Sequence, residues 1–135
     1  MKHGIVCVDD EALLVACMKQ DLMSRYGGRF VCETALSAEE AMTVIEELIG
    51  DGVQVDLVIT DWLMPGTKGD ELISQVRERC PEARAMIVSG QADDEAIERM
   101  REDSSRFGYV EKPWRSHRLF SEVDRLLESG GKTVE

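Results

Sequence analysis

Residues 55–66 read Val55-Asp56-Leu57-Val58-Ile59-Thr60-Asp61-Trp62-Leu63-Met64-Pro65-Gly66, an apolar, β-branched run that carries one carboxylate, Asp61, to its own exit. The run predicts a strand over residues 55–60, and Pro65, Gly66 and Gly69 predict a loop after it. An Asp in that position alone means little, because Asp also opens turns and caps helices. Its significance depends on what other strands bring to the same edge.

Working outward, Gly4-Ile5-Val6-Cys7-Val8 is a continuous apolar run of the kind buried on both faces of a sheet, and it stops at Asp9-Asp10-Glu11. A helix over residues 11–26 follows, with Leu14, Cys17, Met18 and Leu22 on one face and Gly27-Gly28 as its stop. Residues 30–34 alternate as an edge strand does. Ser37-Ala38-Glu39-Glu40 matches a capping box for a helix with Ala41, Val44, Ile45 and Leu48 inward, ending at Gly50 and Gly52.

Beyond Gly69 a third helix carries Leu72, Ile73 and Val76 and is closed by Pro81. Residues 85–88 form a fourth strand that exits at Ser89-Gly90. Asp93 can cap a helix with Ala96, Ile97 and Met100, and polar residues 102–106 read as a loop. Residues 107–111 form a short fifth strand before Lys112-Pro113-Trp114. The last helix, over 116–128, turns Leu119, Phe120, Val123, Leu126 and Leu127 inward and stops at Gly130-Gly131. Five strands alternating with five helices predict an α/β fold, a doubly wound and mostly parallel sheet covered on both faces.

The 135 residues suit one core, so residues 1–129 are expected to form a single domain and 130–135 a frayed tail. Apolar residues make up 43%, too many for a disordered acidic chain. Sixteen basic and twenty-seven acidic residues give a formal charge of −11, which repels phosphate backbones and anionic lipid, so direct nucleic acid or membrane binding is not expected. Apolar runs fall short of the ~20 residues of a bilayer span, and no signal segment follows Met1. A cytoplasmic protein is expected. Cys7, Cys17, Cys32 and Cys80 lack metal-binding spacing and read as buried thiols.

In a parallel sheet the chemistry gathers beyond the carboxyl ends of the strands. The exits there are Asp9 and Asp10, Asp61, Ser89 and Lys112. Singly, the two acids would cap a helix, the serine would sit in a turn and the lysine on the surface. Together they bring three carboxylates, a hydroxyl and an ammonium to one edge. Converging carboxylates raise one another's pKa unless a cation neutralises them, and an all-oxygen set with room for water suits Mg²⁺. With the ion present Asp61 can attack phosphorus, while Ser89 and Lys112 hold phosphoryl oxygens.

Four short motifs in this order, Val8-Asp9-Asp10-Glu11, Asp61-Trp62-Leu63-Met64-Pro65-Gly66 through to Gly69, Ser89-Gly90 and Tyr109-Val110-Glu111-Lys112-Pro113, resemble the response-regulator receiver domains of two-component signalling. The resemblance covers nearly the whole chain and is closest to single-domain, chemotaxis-regulator-like members. It implies a flavodoxin-like (βα)5 sheet of order 2-1-3-4-5, with Asp61 as phosphoacceptor and Asp9, Asp10, Asp61 and the backbone carbonyl of Leu63 around Mg²⁺. It also implies a cis bond at Pro113 and a switch made of Ser89 and Tyr109, in which the ring turns inward after phosphorylation and reshapes the face of the fourth helix, fifth strand and fifth helix. The donor is then a sensor histidine kinase or a histidine phosphotransfer protein, the downstream target is a protein, and a phosphorylation-dependent homodimer is possible. Leu63 and Gln91 occupy positions that tune phosphoryl lifetime, and the apolar Leu63 implies slow to intermediate loss.

Such a protein is a signalling module that catalyses only its own phosphorylation and dephosphorylation. Two alternatives stand beside it. One is a Mg²⁺-dependent phosphatase of the haloacid-dehalogenase type, which needs a second Asp two residues after the nucleophile, where this chain has Leu63. The other is a receiver that binds partners without phosphate, against which the intact Asp9, Asp10, Asp61, Ser89 and Lys112 argue. The acidic run Asp93-Asp94-Glu95 reads as a helix start, His3 and His117 as non-ligands, and Trp62 and Trp114 as partly buried. With no further apolar pattern after the last helix, output is expected through partner binding or relay.

Overall fold

The most continuous apolar runs singled out above become the three central strands, and the alternating or shorter ones become the edges. In the computed structural model, which describes residues 2–90, 95, 97, 98, 102 and 106–129, the strands are β1 (Lys2–Val8), β2 (Val31–Ala35), β3 (Val53–Thr60), β4 (Arg84–Ser89) and β5 (Phe107–Glu111). They pair in parallel in the order β2-β1-β3-β4-β5. Helices α1 (Ala12–Tyr26), α2 (Ala38–Gly50) and α3 (Gly69–Arg79), a 3-10 turn (Gly27–Arg29) and the C-terminal helix (Ser116–Ser129) accompany them. Glu95, Ile97 and Glu98 are helical, whereas Asp93, Ala96, Met100, Gln91 and the 130–135 tail lie outside the described residues.

The pleat sends alternate residues of β1 to opposite cores. Ile5 and Cys7 join Val15, Met18 and Leu22 of α1 and Leu119, Val123 and Leu126 of the C-terminal helix on one face. Val6 and Val8 join Ala41, Ile45 and Leu48 of α2 and Leu72 and Val76 of α3 on the other. A strand clothed on both sides has no polar face, which is why these segments read as unbroken apolar runs.

In β3 this alternation is interrupted. Gly4 of β1 lies opposite Val55 and Ile5 opposite Leu57, which leaves Asp56 as an extra residue in a bulge. Val53 and Val55 therefore face the α2/α3 core, whereas Leu57 and Ile59 face the α1 core. The displaced Asp56 is buried, with His3 Nδ1 at 2.7 Å from one oxygen and Gln54 Nε2 donating to the other at 3.0 Å. The bulge sets the phase in which the strand reaches Asp61.

Helix boundaries follow their local chemistry. Ser37 Oγ accepts from the Glu40 N–H at 3.0 Å, the cap foreseen from the capping box. Gly27, at φ 58°, ends α1 in a conformation that costs a side chain energy. Several expectations shift: β2 begins at Val31 and β3 at Val53, and Leu14, Val44 and Phe120 are half-buried. In α1 the buried stripe is Val15, Met18, Leu22 and Tyr26, so Cys17 points to solvent and Cys80 is half-buried, correcting the reading of four buried thiols. Residues 13–18 are all apolar, so composition there does not single out one helical phase; the contacts of the sheet choose it.

Thiol labelling of the native protein should therefore be site-selective. Cys17 is expected to react with a maleimide at the rate of an exposed thiol, Cys80 more slowly, and Cys7 and Cys32 only after denaturation, as read by mass mapping of labelled peptides.

Candidate functional site

The last ladder bonds of the sheet carry each exit residue to a common rim. Asp9 N–H donates to the Ala35 carbonyl at 3.2 Å, Asp61 N–H to Val8 at 3.0 Å and Lys112 N–H to Ser89 at 3.3 Å. Carboxylate oxygens of Asp9, Asp10 and Asp61 consequently lie within 4.8 Å of one another. Asp9 and Asp61 are buried and Asp10 is exposed.

Each buried carboxylate has a backbone donor. Glu11 N–H donates to Asp9 Oδ1 at 2.9 Å, and Trp62 N–H donates to Asp61 Oδ1 at 2.8 Å. The other oxygens turn toward Lys112, whose Nζ donates to Asp9 Oδ2 at 2.7 Å and stands 3.6 Å from Asp61 Oδ2. The ammonium is thus bonded to Asp9 and only near Asp61. Ser89 is buried at the end of β4, and the peptide between Lys112 and Pro113 is cis.

The charges do not balance: three carboxylates meet one ammonium. Burial raises the Asp61 carboxyl above its ordinary value; the Lys112 ammonium pulls it back, the Asp9 charge pushes it further up, and hydrogen bonds with Ser89 and the Trp62 N–H lower it. Burial disfavours the Lys112 ammonium, but its bond to Asp9 and the fields of Asp61 and Asp9 outweigh that and hold it above its usual value. The cluster therefore has a net demand for positive charge. Its oxygen-only donors, one of them open to solvent, match a hard divalent ion that keeps several waters.

Around this rim, Leu63 is exposed in the β3–α3 loop, as are Leu36 after β2 and Leu13 in the first turn of α1. Trp62 is buried against Ile73 and Ile87, which corrects its reading as a partly buried residue. Trp114 is half-buried and its Nε1 donates to Asp21 at 3.3 Å. Tyr109, half-buried on the edge strand, donates its hydroxyl to the Ser89 carbonyl at 3.0 Å. Its N–H donates to Glu122 Oε2 at 2.9 Å, a tie from β5 to the C-terminal helix that sequence reading missed; the only clue was an acid flanked by the inward Leu119 and Val123. Also missed was Thr60, completely buried, whose hydroxyl donates to the Asp61 carbonyl at 3.0 Å.

A family model described as the response regulator receiver domain matches residues 5–124. The chain belongs to the response-regulator receiver family. Receiver domains are signalling modules of two-component systems, bind Mg²⁺ at an acidic pocket and are phosphorylated by sensor histidine kinases. The sensor kinase CckA of Brucella abortus is 32% identical over 92% of this chain and 12% of its own length. The phosphate regulon transcriptional regulatory protein PhoB of Rhizobium meliloti is 31% identical over 94% of this chain and 53% of its own length. The chain thus spans about half or less of these curated relatives.

Among solved structures, a response regulator receiver domain protein from Clostridium thermocellum superposes with a TM-score of 0.76 at 27% identity, covering 93% of this chain and 94% of that one. The chemotaxis protein CheY4 of Vibrio cholerae reaches 0.77 at 20% identity over 94% of this receiver and all of that chain, a likeness of fold alone. The flavodoxin-like sheet order is the one expected.

The raised Asp61 carboxyl has a signed consequence. A carboxyl raised above its unfolded value supports the fold fully below that unfolded value, and this support is lost as pH rises through the folded one. Without divalent ions, Asp61→Asn is expected to unfold at higher urea than wild type at neutral pH, with the difference shrinking on acidification through the carboxylate range. An unchanged difference from neutral pH to pH ~3 would remove burial of the Asp61 charge as its cause.

Proposed function

We propose that this receiver takes a phosphoryl group from a phosphohistidine partner onto Asp61 and signals through a changed surface. The observation that carries the reading is the meeting of Asp9, Asp10 and Asp61 oxygens within 4.8 Å, with the Lys112 ammonium reaching Asp9 and Asp61 from beyond β5. One Asp61 oxygen bonds to phosphorus as the phosphorus–nitrogen bond of phosphohistidine breaks. The electron pair returns to the imidazole nitrogen, which takes up a proton. Lys112 and the Ser89 hydroxyl hold equatorial oxygens of the group in transit.

Asp9, Asp10, Asp61 and the Leu63 carbonyl are the proposed Mg²⁺ set. The ion, when bound, neutralises charge on the phosphoryl oxygens and offsets the carboxylate repulsion. Lys112, bonded to Asp9 and 3.6 Å from Asp61 Oδ2, stands on the side from which the phosphoryl group would arrive. Leu63 places no carboxylate two residues after Asp61, so the second acid that a haloacid-dehalogenase-type phosphatase needs is missing.

The proposed switch couples two groups already in contact. The Tyr109 hydroxyl is bonded to the Ser89 carbonyl, so movement of Ser89 toward a phosphoryl oxygen pulls on the strand that anchors the ring. Glu122 passes that movement to the C-terminal helix through the Tyr109 N–H. A shift from mostly inactive to mostly active takes ~3–5 kcal/mol of differential stabilisation, within reach of a few charge-assisted hydrogen bonds. The partner is a sensor histidine kinase or histidine phosphotransfer protein in the cytoplasm, docking where Leu13, Leu36 and Leu63 are exposed after three neighbouring strands. Output goes to a protein target, with a phosphorylation-dependent homodimer as one form.

Incubation with acetyl phosphate and Mg²⁺, followed by intact mass, should add one PO₃ unit to wild type and none to Asp61→Ala. Lys112→Ala should slow the addition by on the order of 10². Absence of the adduct on wild type would return the chain to the non-phosphorylated binding module. Tyr109→Phe should accept phosphate at the wild-type rate yet lose part of the change in β5 and C-terminal-helix amide shifts that beryllofluoride induces in wild type.

A further inference from the structure

The peptide unit joining Asp61 to Trp62 is gripped at both ends. Its carbonyl accepts from the Thr60 hydroxyl at 3.0 Å, and its N–H donates to Asp61 Oδ1 at 2.8 Å. The carbonyl also lies where a side chain on Gly69 would be: a Cβ built there would overlap the Asp61 oxygen, and Gly69 itself donates its N–H to the Trp62 carbonyl at 2.9 Å. A planar peptide transmits a rotation at its carbonyl end directly to its N–H end. Holding one end therefore aims the other.

The Asp61 carbonyl has already left the β ladder, whose last bond to this residue is the N–H donated to Val8. It is enclosed by the loop that returns at Gly69, where an unsatisfied oxygen is costly. Thr60 ends a strand that is otherwise apolar from Leu57 to Ile59, and its side chain has no solvent exposure. A valine would have the same shape and suit the strand. The hydroxyl is the part that needs explaining.

We infer that Thr60 is a positioning residue for the phosphoacceptor: its hydroxyl sets the Asp61–Trp62 peptide plane, the plane holds Asp61 Oδ1 through the Trp62 N–H, and Oδ2 is thereby left on the Lys112 side for attack on phosphorus. The inference rests on the reading of Asp61 as phosphoacceptor. In the test reaction Oδ2 bonds to phosphorus as the bond from phosphorus to the acetyl oxygen breaks, its electron pair leaving with acetate. Gly69 serves the same plane by leaving room for its carbonyl. A loosened plane lets the carboxylate rotate, and small misplacements of a reacting group are expensive in rate.

The test compares Thr60→Val, Thr60→Ser and Gly69→Ala in the full chain. Two readouts are taken: the rate of PO₃ addition from acetyl phosphate at saturating Mg²⁺, and hydrogen exchange of the Trp62 amide in ¹⁵N-labelled protein without donor. Thr60→Val is expected to slow addition on the order of tenfold and to speed Trp62 exchange, whereas Thr60→Ser stays within about twofold of wild type on both. Gly69→Ala, pressing on the plane from the opposite side, should resemble Thr60→Val.

A folded Thr60→Val that accepts phosphate at the wild-type rate, or a Thr60→Ser as slow as Thr60→Val, overturns the positioning role. Rapid exchange of the Trp62 amide in wild type overturns it without any variant, so the inference stays open to refutation even where Thr60→Val and Gly69→Ala fail to fold. No adduct on wild type sinks the phosphoacceptor reading, and this inference with it. Wild-type phosphorylation with an unaffected Thr60→Val sinks this inference alone.

Discussion

Two buried carboxylates from neighbouring strands, with a third at their shoulder, repel one another unless positive charge sits among them. In this chain the cation built into the protein is Lys112, and it comes from beyond β5, on the far side of β3 and β4 from the strand that carries Asp9. The reach of that one side chain ties the edge of the sheet to its middle. Much else in the molecule follows from it. The strands must be parallel so that their exits share a rim, the helices must return behind the sheet, and the Glu11 and Trp62 N–H groups must meet the carboxylate oxygens the ammonium does not take.

That arrangement is under-neutralised, and the shortfall links stability to function. A site short of positive charge favours a divalent ion, and positive charge brought close to Asp61 lowers a carboxyl that burial holds above its ordinary pKa. The same low-dielectric surroundings that make the crowding of carboxylates costly strengthen every charged contact made there. A sensor kinase and a transcriptional regulator are both similar to this chain, and what each has in common with it is one segment that covers nearly all of this chain and about half or less of the relative.

The route from the rim to the C-terminal helix is short. Ser89 ends β4, Tyr109 is bonded to its carbonyl, and Glu122 receives the Tyr109 N–H from across β5. Arg125 extends the connection by bonding both Glu122 Oε1 and the Phe107 carbonyl, each at 2.9 Å. Ser89 is thus linked through bonded neighbours as far as the C-terminal helix. Packed elements of this kind tend to move between discrete arrangements, because close-packed interiors deform poorly in between.

Local chemistry was enough to find the five strands, the Ser37 cap, the Gly27 stop and the acids, hydroxyl and lysine at the strand exits, because each depends on a residue's own pattern or on neighbours a few positions away. The side of α1 that packs was not legible, since Leu13 through Met18 are all apolar and only contact with the sheet selects Val15 over Leu14 and turns Cys17 outward. The bulge at Asp56 was equally hidden: an acid in an apolar run looks like an ordinary strand position until β1 pairs against it with one residue fewer. That Lys112 bonds Asp9 more closely than Asp61, and that Thr60 and Gly69 grip the peptide after Asp61, also waited for the folded chain. Sequence alone determined which groups arrive at the rim, because strand periodicity and parallel crossovers are local and repetitive. The tertiary structure decided which group touches which, because those distances depend on register and packing between segments far apart in the chain.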